Sequence, residues 1–185
     1  MHVMSFIFFM MYAQPVRYMA AEILLVPILW AVLSVFASKK RWLERTLNVL
    51  LLLISLWLIL KSTVLGRVAD ARSGLVSLPF QLILTAIKEN REIVRILLLN
   101  SLLFCPFGAA LVGLLPGQGS AATRLLTVCM AGMVLSILIE WTQFHFSLGN
   151  AEADDVICNA LGTLIGACAL PIKDALERKD PRENT

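Results

Sequence analysis

Long apolar stretches separated by short polar connections dominate the pattern of this chain. Each stretch is close to the roughly 20 residues that a helix needs to cross the hydrocarbon core of a bilayer. We therefore predict an all-α fold, namely a polytopic transmembrane helix bundle of about five spans. The predicted spans cover residues 18–36, 46–65, 93–115, 122–146 and 155–172.

One apolar segment between the second and third spans is too short to cross a bilayer. Residues 75–87 read LVSLPFQLILTAI, and Pro79 is suited to the beginning of a helix. We predict that this segment is interfacial or re-entrant. Residues 1–172 are interpreted as one membrane domain, and the charged residues 173–185 are interpreted as a cytoplasmic tail.

Composition supports a membrane protein and argues against other classes. The 185 residues are 58% hydrophobic and 16% charged, with a mean hydropathy of +0.79, whereas soluble domains average about 25% charged residues. A net charge of +3 is too small to indicate a nucleic-acid partner. The four cysteines and two histidines have no metal-ligand spacing, so we predict neither a metal nor another cofactor.

Lysine and arginine in short loops predict the orientation, because cytoplasmic loops carry an excess of these residues. Basic residues occur at 39–45, between the first two spans, and at 173–182, after the last span. Both regions would face the cytoplasm in a five-span bundle, which places the N-terminus outside and the C-terminus inside. The turn 147–154 would lie outside and has no basic residue. The basic residues at 67, 72, 88 and 91 fit this rule less well, because the loop between the second and third spans would also lie outside.

Polar residues set into these apolar segments are the candidate functional residues, because ionisable groups inside a bilayer are costly and often functional. Glu140 and Gln143 share a face of the fourth span, and Asp155 and Asn159 share a face of the fifth. On the predicted topology these residues collect at the extracytoplasmic end of the bundle. The candidate pocket comprises Arg67, Asn100, Glu140, Gln143, Glu152, Asp155 and Asn159.

Carboxylates, amides and one arginine in a shared pocket suit several kinds of chemistry. Such a pocket would hold a cation, grip a polar lipid head group or perform acid–base reactions. Alternatively, Asn100, Gln143 and Asn159 hydrogen-bond the helices together. Asp155 would then cap a helix, and Asp154 is expected to be solvated.

Glycines indicate where helices approach each other closely. Gly162 and Gly166 form a GxxxG repeat on the fifth span. Gly108 shares a face of the third span with Asn100 and Phe104. We predict helix packing at Gly108, Gly162 and Gly166. A GxxxG repeat permits a dimer without requiring one, so the oligomeric state stays open.

Four sequence elements resemble the VanZ-like family of bacterial membrane proteins. In the family's order they are TVLGR at 63–67, LVSLPF at 75–80, NSLLFCPFG at 100–108, and EWTQF with EADDVICNALGTLIG within 140–166. They are similar to the family elements T-x-x-x-R, L-x-x-x-P-F, N-x-x-x-F-x-P-F-G, and E-x-x-Q with acid-x-x-D-x-x-x-N-x-x-G-x-x-x-G. The chain departs from the family at Glu152, where Asp is usual, and at 148–150, where many members have an Arg.

The resemblance implies a multi-pass protein of the bacterial plasma membrane and cell envelope. The namesake of the family is linked to reduced susceptibility to teicoplanin-type glycopeptide antibiotics. The expected partners are therefore membrane lipid and an envelope amphiphile or glycopeptide. Two alternatives remain open: an enzyme acting on a lipid or isoprenoid-linked head group, and a structural membrane scaffold. Whether the protein is an enzyme stays open.

Overall fold

The computed structural model describes residues 25–26, 28–30, 32–34, 40–65, 67, 76–80, 83–84, 91–115 and 120–168. These residues form a helical bundle, which confirms the predicted all-α fold class. Its elements are α1 (Arg41–Leu60), a π-helical turn (Lys61–Leu65), β1 (Val76–Ser77), α2 (Arg91–Leu114), α3 (Ala121–His145), β2 (Ala151–Glu152) and α4 (Ala153–Ala167).

Three of the described helices are long and apolar enough to cross a membrane, namely Arg41–Leu65, Leu97–Leu114 and Ala121–His145. They correspond to the second, third and fourth predicted spans. α4 has 15 residues and begins at Ala153, slightly before the predicted fifth span. The predicted first span is helical at its described residues, and the rest of it lies outside the described residues, as does the tail 173–185.

The described core lies where α1, α2 and α3 meet. Phe104 and Phe107 of α2 pack edge to face, with ring centroids 6.2 Å apart. Their buried neighbours come from all three helices and are Leu58, Ile59, Leu103 and Ile139. Large apolar side chains on the outer face of α3 are exposed, which suits contact with lipid chains.

The glycines of α4 lie against α2, and the two helices run in the same direction. Gly162 faces the carbonyl of Ser101, and Gly166 faces the carbonyl of Cys105 one turn further on. Gly108 of α2 faces the carbonyl of Thr163 in the same way. A Cβ at any of these glycines would overlap that carbonyl oxygen. The glycine face is therefore occupied within the chain.

The segment between α1 and α2 contains a short strand. Val76 pairs with Ala151 and Ser77 with Glu152 in a parallel two-stranded ladder. A turn at Pro79 and Phe80 follows, and the amide of Leu84 donates to the carbonyl of Phe80 as in a helix. We call the described residues 76–80 and 83–84 the strap. The described helical residues 83–84 follow Pro79, where the sequence predicted a helix to begin, whereas Val76 and Ser77 are extended because they pair with β2.

Candidate functional site

Polar side chains from four elements converge at one end of the bundle. α3 ends there, just after Glu140 and Gln143, and α4 begins there, just before Asp155. Asn100 lies in the first half of α2, and Arg67 follows the π-helical turn. α1 and α3 run antiparallel to α2 and α4. The C-terminal ends of α1 and α3 therefore lie at the same end of the bundle as the N-terminal ends of α2 and α4.

Glu140 attaches the end of α3 to the beginning of β2. Its Oε2 accepts a hydrogen bond of 2.8 Å from the backbone amide of Glu152. The side chain is only 7% exposed, yet Oε1 accepts no hydrogen bond from the described residues. Glu140 is therefore a nearly buried carboxylate held in a fixed position, with one oxygen that makes no hydrogen bond to the described residues.

Asp155 faces α2, and its side chain does not cap its own helix. Asn100 Nδ2 donates to Asp155 Oδ1 at 2.6 Å. The N-cap position of α4 is Glu152, which makes no capping hydrogen bond through its side chain. Asp155 is 8% exposed, and its Oδ2 has no hydrogen bond to the described residues. It resembles Glu140 in being a fixed, nearly buried carboxylate with an available oxygen.

The three amides of the site each connect two elements. Asn100 connects α2 with α4, as described above. Gln143 Nε2 donates to the backbone carbonyl of Thr63 at 2.8 Å, and Asn159 Nδ2 donates to Ser136 Oγ at 2.8 Å. These contacts match the alternative in which the amides hold the helices together. Glu140 and Asp155, in contrast, each use one carboxylate oxygen in a hydrogen bond to the described residues.

The Asn159–Ser136 contact supports a first testable prediction. A double-mutant cycle with Asn159→Ala and Ser136→Ala should give a coupling energy of about 0.6 to 2 kcal/mol, the usual range for interhelical hydrogen bonds in membranes. Thermal unfolding in detergent measures the coupling. Additive effects of the two substitutions would contradict the contact, and Thr142→Ala on the exposed side of α3 provides the baseline.

Arg67 lies at the exposed rim of the site. Its guanidinium occupies the space that a side chain at position 149 would need, because a Cβ on Gly149 would overlap Nη1. Among the described residues, no carboxylate forms an ion pair with Arg67. Burial raises the pKa of the neighbouring Glu152 carboxyl, and the charge of Asp155 raises it further, while Arg67 lowers it. Arg67 therefore acts on Glu152 through its charge, without an ion pair between described residues.

Asp154 is a residue that sequence reasoning missed. It was predicted to be solvated, and that prediction is wrong, because its side chain is 0% exposed. Its Oδ1 accepts a hydrogen bond from the amide of Phe80, and its Oδ2 accepts one of 3.3 Å from the amide of Ile83. Helix N-termini need acceptors for such amides. Asp154 thus caps the helical turn of the strap from a distant element.

A signal for Asp154 was present in the acidic doublet at the beginning of α4. Adjacent residues on a helix point in different directions, so Asp154 and Asp155 cannot serve the same face. Once Asp155 faces α2, Asp154 needs a partner elsewhere. The sequence contains no indication that this partner is the backbone of residues 80–83.

The site as a whole is rich in hydrogen-bond acceptors. It combines the carboxylates of Glu140, Glu152 and Asp155 with the guanidinium of Arg67. Among the described residues, no group of three or more His, Cys, Asp or Glu side chains is arranged to hold a metal ion. The arrangement suits the recognition of a polar group that carries donors.

A bundle of helices long and apolar enough to cross a membrane, with polar groups converging at one end, is typical of a membrane protein with an interhelical polar site. A VanZ/LLP1 family profile matches residues 1–174. The chain therefore belongs to the VanZ/LLP1 family, which confirms the resemblance found in residues 63–166. Searches of curated proteins and of solved structures returned no match.

Proposed function

We propose that this VanZ/LLP1 protein binds the head group of an envelope amphiphile at the carboxylate site. One observation carries the proposal: Glu140 and Asp155 are nearly buried, yet each retains an oxygen without a hydrogen bond to the described residues. Burying a carboxylate in a membrane bundle is unfavourable. A purely structural role would be expected to use both oxygens, as Asp154 does in binding the strap.

An amphiphile suits the surroundings of the site better than a fully soluble ligand does. Trp141, Phe144 and Phe146 are exposed near the end of α3, and His145 stacks on Trp141 with ring centroids 5.2 Å apart. Exposed aromatic side chains are enriched where a membrane meets water. A ligand at this level would place its head group among the carboxylates and its tail along the apolar outer surface of the bundle.

We further propose that the site faces the outside of the bacterial plasma membrane, where an amphiphile of the cell envelope would encounter it. Arg41 and Arg45, in the first turns of α1, and Arg124, near the start of α3, lie at the opposite end of the bundle from Glu140. Under the positive-inside rule these residues favour the cytoplasm.

Cysteine accessibility tests the orientation. Ser147→Cys and Asn150→Cys would be made in a background without the four native cysteines. We expect a membrane-impermeant thiol reagent to label both variants in intact cells. Lys40→Cys, at the other end of the bundle, is the matched control and should react only after the membrane is opened. The reverse pattern would remove the physical basis for an extracytoplasmic ligand.

Drug susceptibility tests the function. We expect expression in a susceptible host to reduce the effect of teicoplanin-type glycopeptides and lipoglycopeptides, and Glu140→Gln and Asp155→Asn to abolish this protection at normal protein abundance. Glu44→Gln, an acid in the first turn of α1 at the opposite end, is the matched control and should protect as the wild type does. Wild type behaving as the empty vector across the panel would contradict the resistance form of the proposal.

A further inference from the structure

Two buried side-chain oxygens beside the carboxylates lack hydrogen-bond partners. They are Asn159 Oδ1 and Ser77 Oγ, and Asn159 is only 3% exposed. Buried polar atoms are nearly always paired, so each unpaired atom calls for a partner outside the described contacts. Such atoms are evidence for a ligand, and this evidence does not depend on the acidic residues.

Both atoms border the carboxylate site. Asn159 follows Asp155 by one helical turn on α4, and its partner Ser136 precedes Glu140 by one turn on α3. The unpaired amide oxygen therefore lies between α3 and α4, one turn below the two carboxylates. Ser77 lies opposite Glu152 in the β1–β2 ladder. The site thus has an unpaired oxygen at its deep side and another within the strap.

The deep side of the site offers three acceptor oxygens from the described residues. Its available atoms are Glu140 Oε1, Asp155 Oδ2 and Asn159 Oδ1. A group that satisfies several acceptors and also compensates buried negative charge must carry both donors and positive charge. A primary ammonium, with three N–H donors on one cationic atom, meets both requirements.

At the exposed rim, in contrast, a ligand would need a negatively charged group. Arg67 is exposed and has no ion-pair partner among the described residues. A guanidinium presents a planar fork of donors that matches the oxygen geometry of a phosphate. A ligand that extends from the carboxylates to Arg67 would therefore carry its cation at the deep end and its anion toward water.

We infer that the site recognises an aminoalkyl phosphate head group of a lipid, with its ammonium at Glu140 and Asp155 and its phosphate at Arg67. This inference rests on the proposed function and specifies the chemical class of the amphiphile. It also accounts for the excess of carboxylates over basic groups among the described residues of the site, because the ammonium supplies positive charge.

Lipid binding to the purified full-length protein in detergent tests the inference. The probes are dioleoylphosphatidylethanolamine, its N-acetyl derivative, the corresponding phosphatidylcholine and phosphatidylglycerol, dodecylamine and soluble 2-aminoethyl phosphate. Native mass spectrometry measures the affinities. We expect phosphatidylethanolamine to bind at least about tenfold more tightly than the N-acetyl and choline lipids, because neither of these presents a primary ammonium. This comparison uses only the wild-type protein and is independent of any effect of mutation on folding.

Variants test which residues bind the ammonium of the head group and which bind its phosphate. Glu140→Gln and Asp155→Asn should remove the preference for phosphatidylethanolamine over its N-acetyl derivative. Arg67→Gln should remove the preference for phosphatidylethanolamine over dodecylamine, which lacks the phosphate. Glu44→Gln, the matched control at the opposite end of the bundle, should retain both preferences.

The outcomes separate this inference from the proposed function. Equal binding of phosphatidylethanolamine and its N-acetyl derivative overturns the inference. If another amphiphile nevertheless binds saturably and Glu140→Gln abolishes that binding, the proposed function stands. Absence of saturable binding by every amphiphile, glycopeptides included, overturns both. Soluble 2-aminoethyl phosphate binding as tightly as the lipid would assign the site to a free metabolite and overturn the lipid assignment.

Discussion

Gly162→Ala is expected to destabilise the protein by about 3 kcal/mol, near the upper end of the usual cost of overpacking. The added Cβ would overlap the carbonyl oxygen of Ser101. That oxygen belongs to the backbone of α2 and cannot rotate away, so the two helices must separate. Thermal unfolding in detergent should show a fall in the midpoint on the order of 10 °C.

Two control substitutions make this prediction specific. Leu161→Ala alters the adjacent, exposed residue of α4 and should change the midpoint little. Gly113→Ala would place its Cβ against the side-chain amide of Asn48, and a side chain adjusts more easily than a backbone carbonyl, so we expect a smaller loss of stability than at Gly162. Unfolding of Gly162→Ala at the temperature of Leu161→Ala would contradict the close approach of α2 and α4.

Asp154→Ala is expected to release the strap from the bundle. The substitution removes the acceptor of the Phe80 and Ile83 amides, and an unsatisfied buried donor costs about 1 to 3 kcal/mol. The strap can relieve this cost by moving its amides into water. Hydrogen exchange should therefore become much faster at these two amides, while exchange in the middle of α3 stays slow.

Asp154→Asn is the matched variant for this second prediction. Its side-chain oxygen can accept from one of the two amides, so exchange should be intermediate between those of the wild type and Asp154→Ala. Exchange at Phe80 and Ile83 that is unchanged in Asp154→Ala would show that the carboxylate does not hold the strap.

The sequence was a good guide to features that depend on one helix at a time. The apolar length of residues 46–65 and 122–146 predicted two of the helices, because bilayer thickness sets that length. Helical periodicity also assigned Asp155, Asn159, Gly162 and Gly166 to one face of α4. The side chain of Asp155 does contact α2 from that face, as does the backbone at both glycines.

Features that depend on two distant segments could not be predicted in this way. The Asp154 carboxylate binds amides more than 70 positions earlier in the chain. Likewise, the two-residue strand Val76–Ser77 exists because it pairs with β2. Neither contact can be recognised from a local pattern of residue types. The partner in each contact is a backbone group, and every residue type except proline offers the same backbone amide.

The sequence by itself determined the class of this protein: the apolar helices, the faces on which their polar residues lie and membership of the VanZ/LLP1 family. Only the tertiary structure decided which helix each face meets and that the GxxxG repeat packs against α2 within the chain. It also decided that Asp154 holds the strap, while Glu140 and Asp155 each keep an oxygen without a hydrogen bond to the described residues. The physical reason is that a membrane environment favours apolar side chains on a helix whichever other helix that helix packs against. The choice among apolar surfaces depends on close packing and hydrogen bonds between segments far apart in the chain.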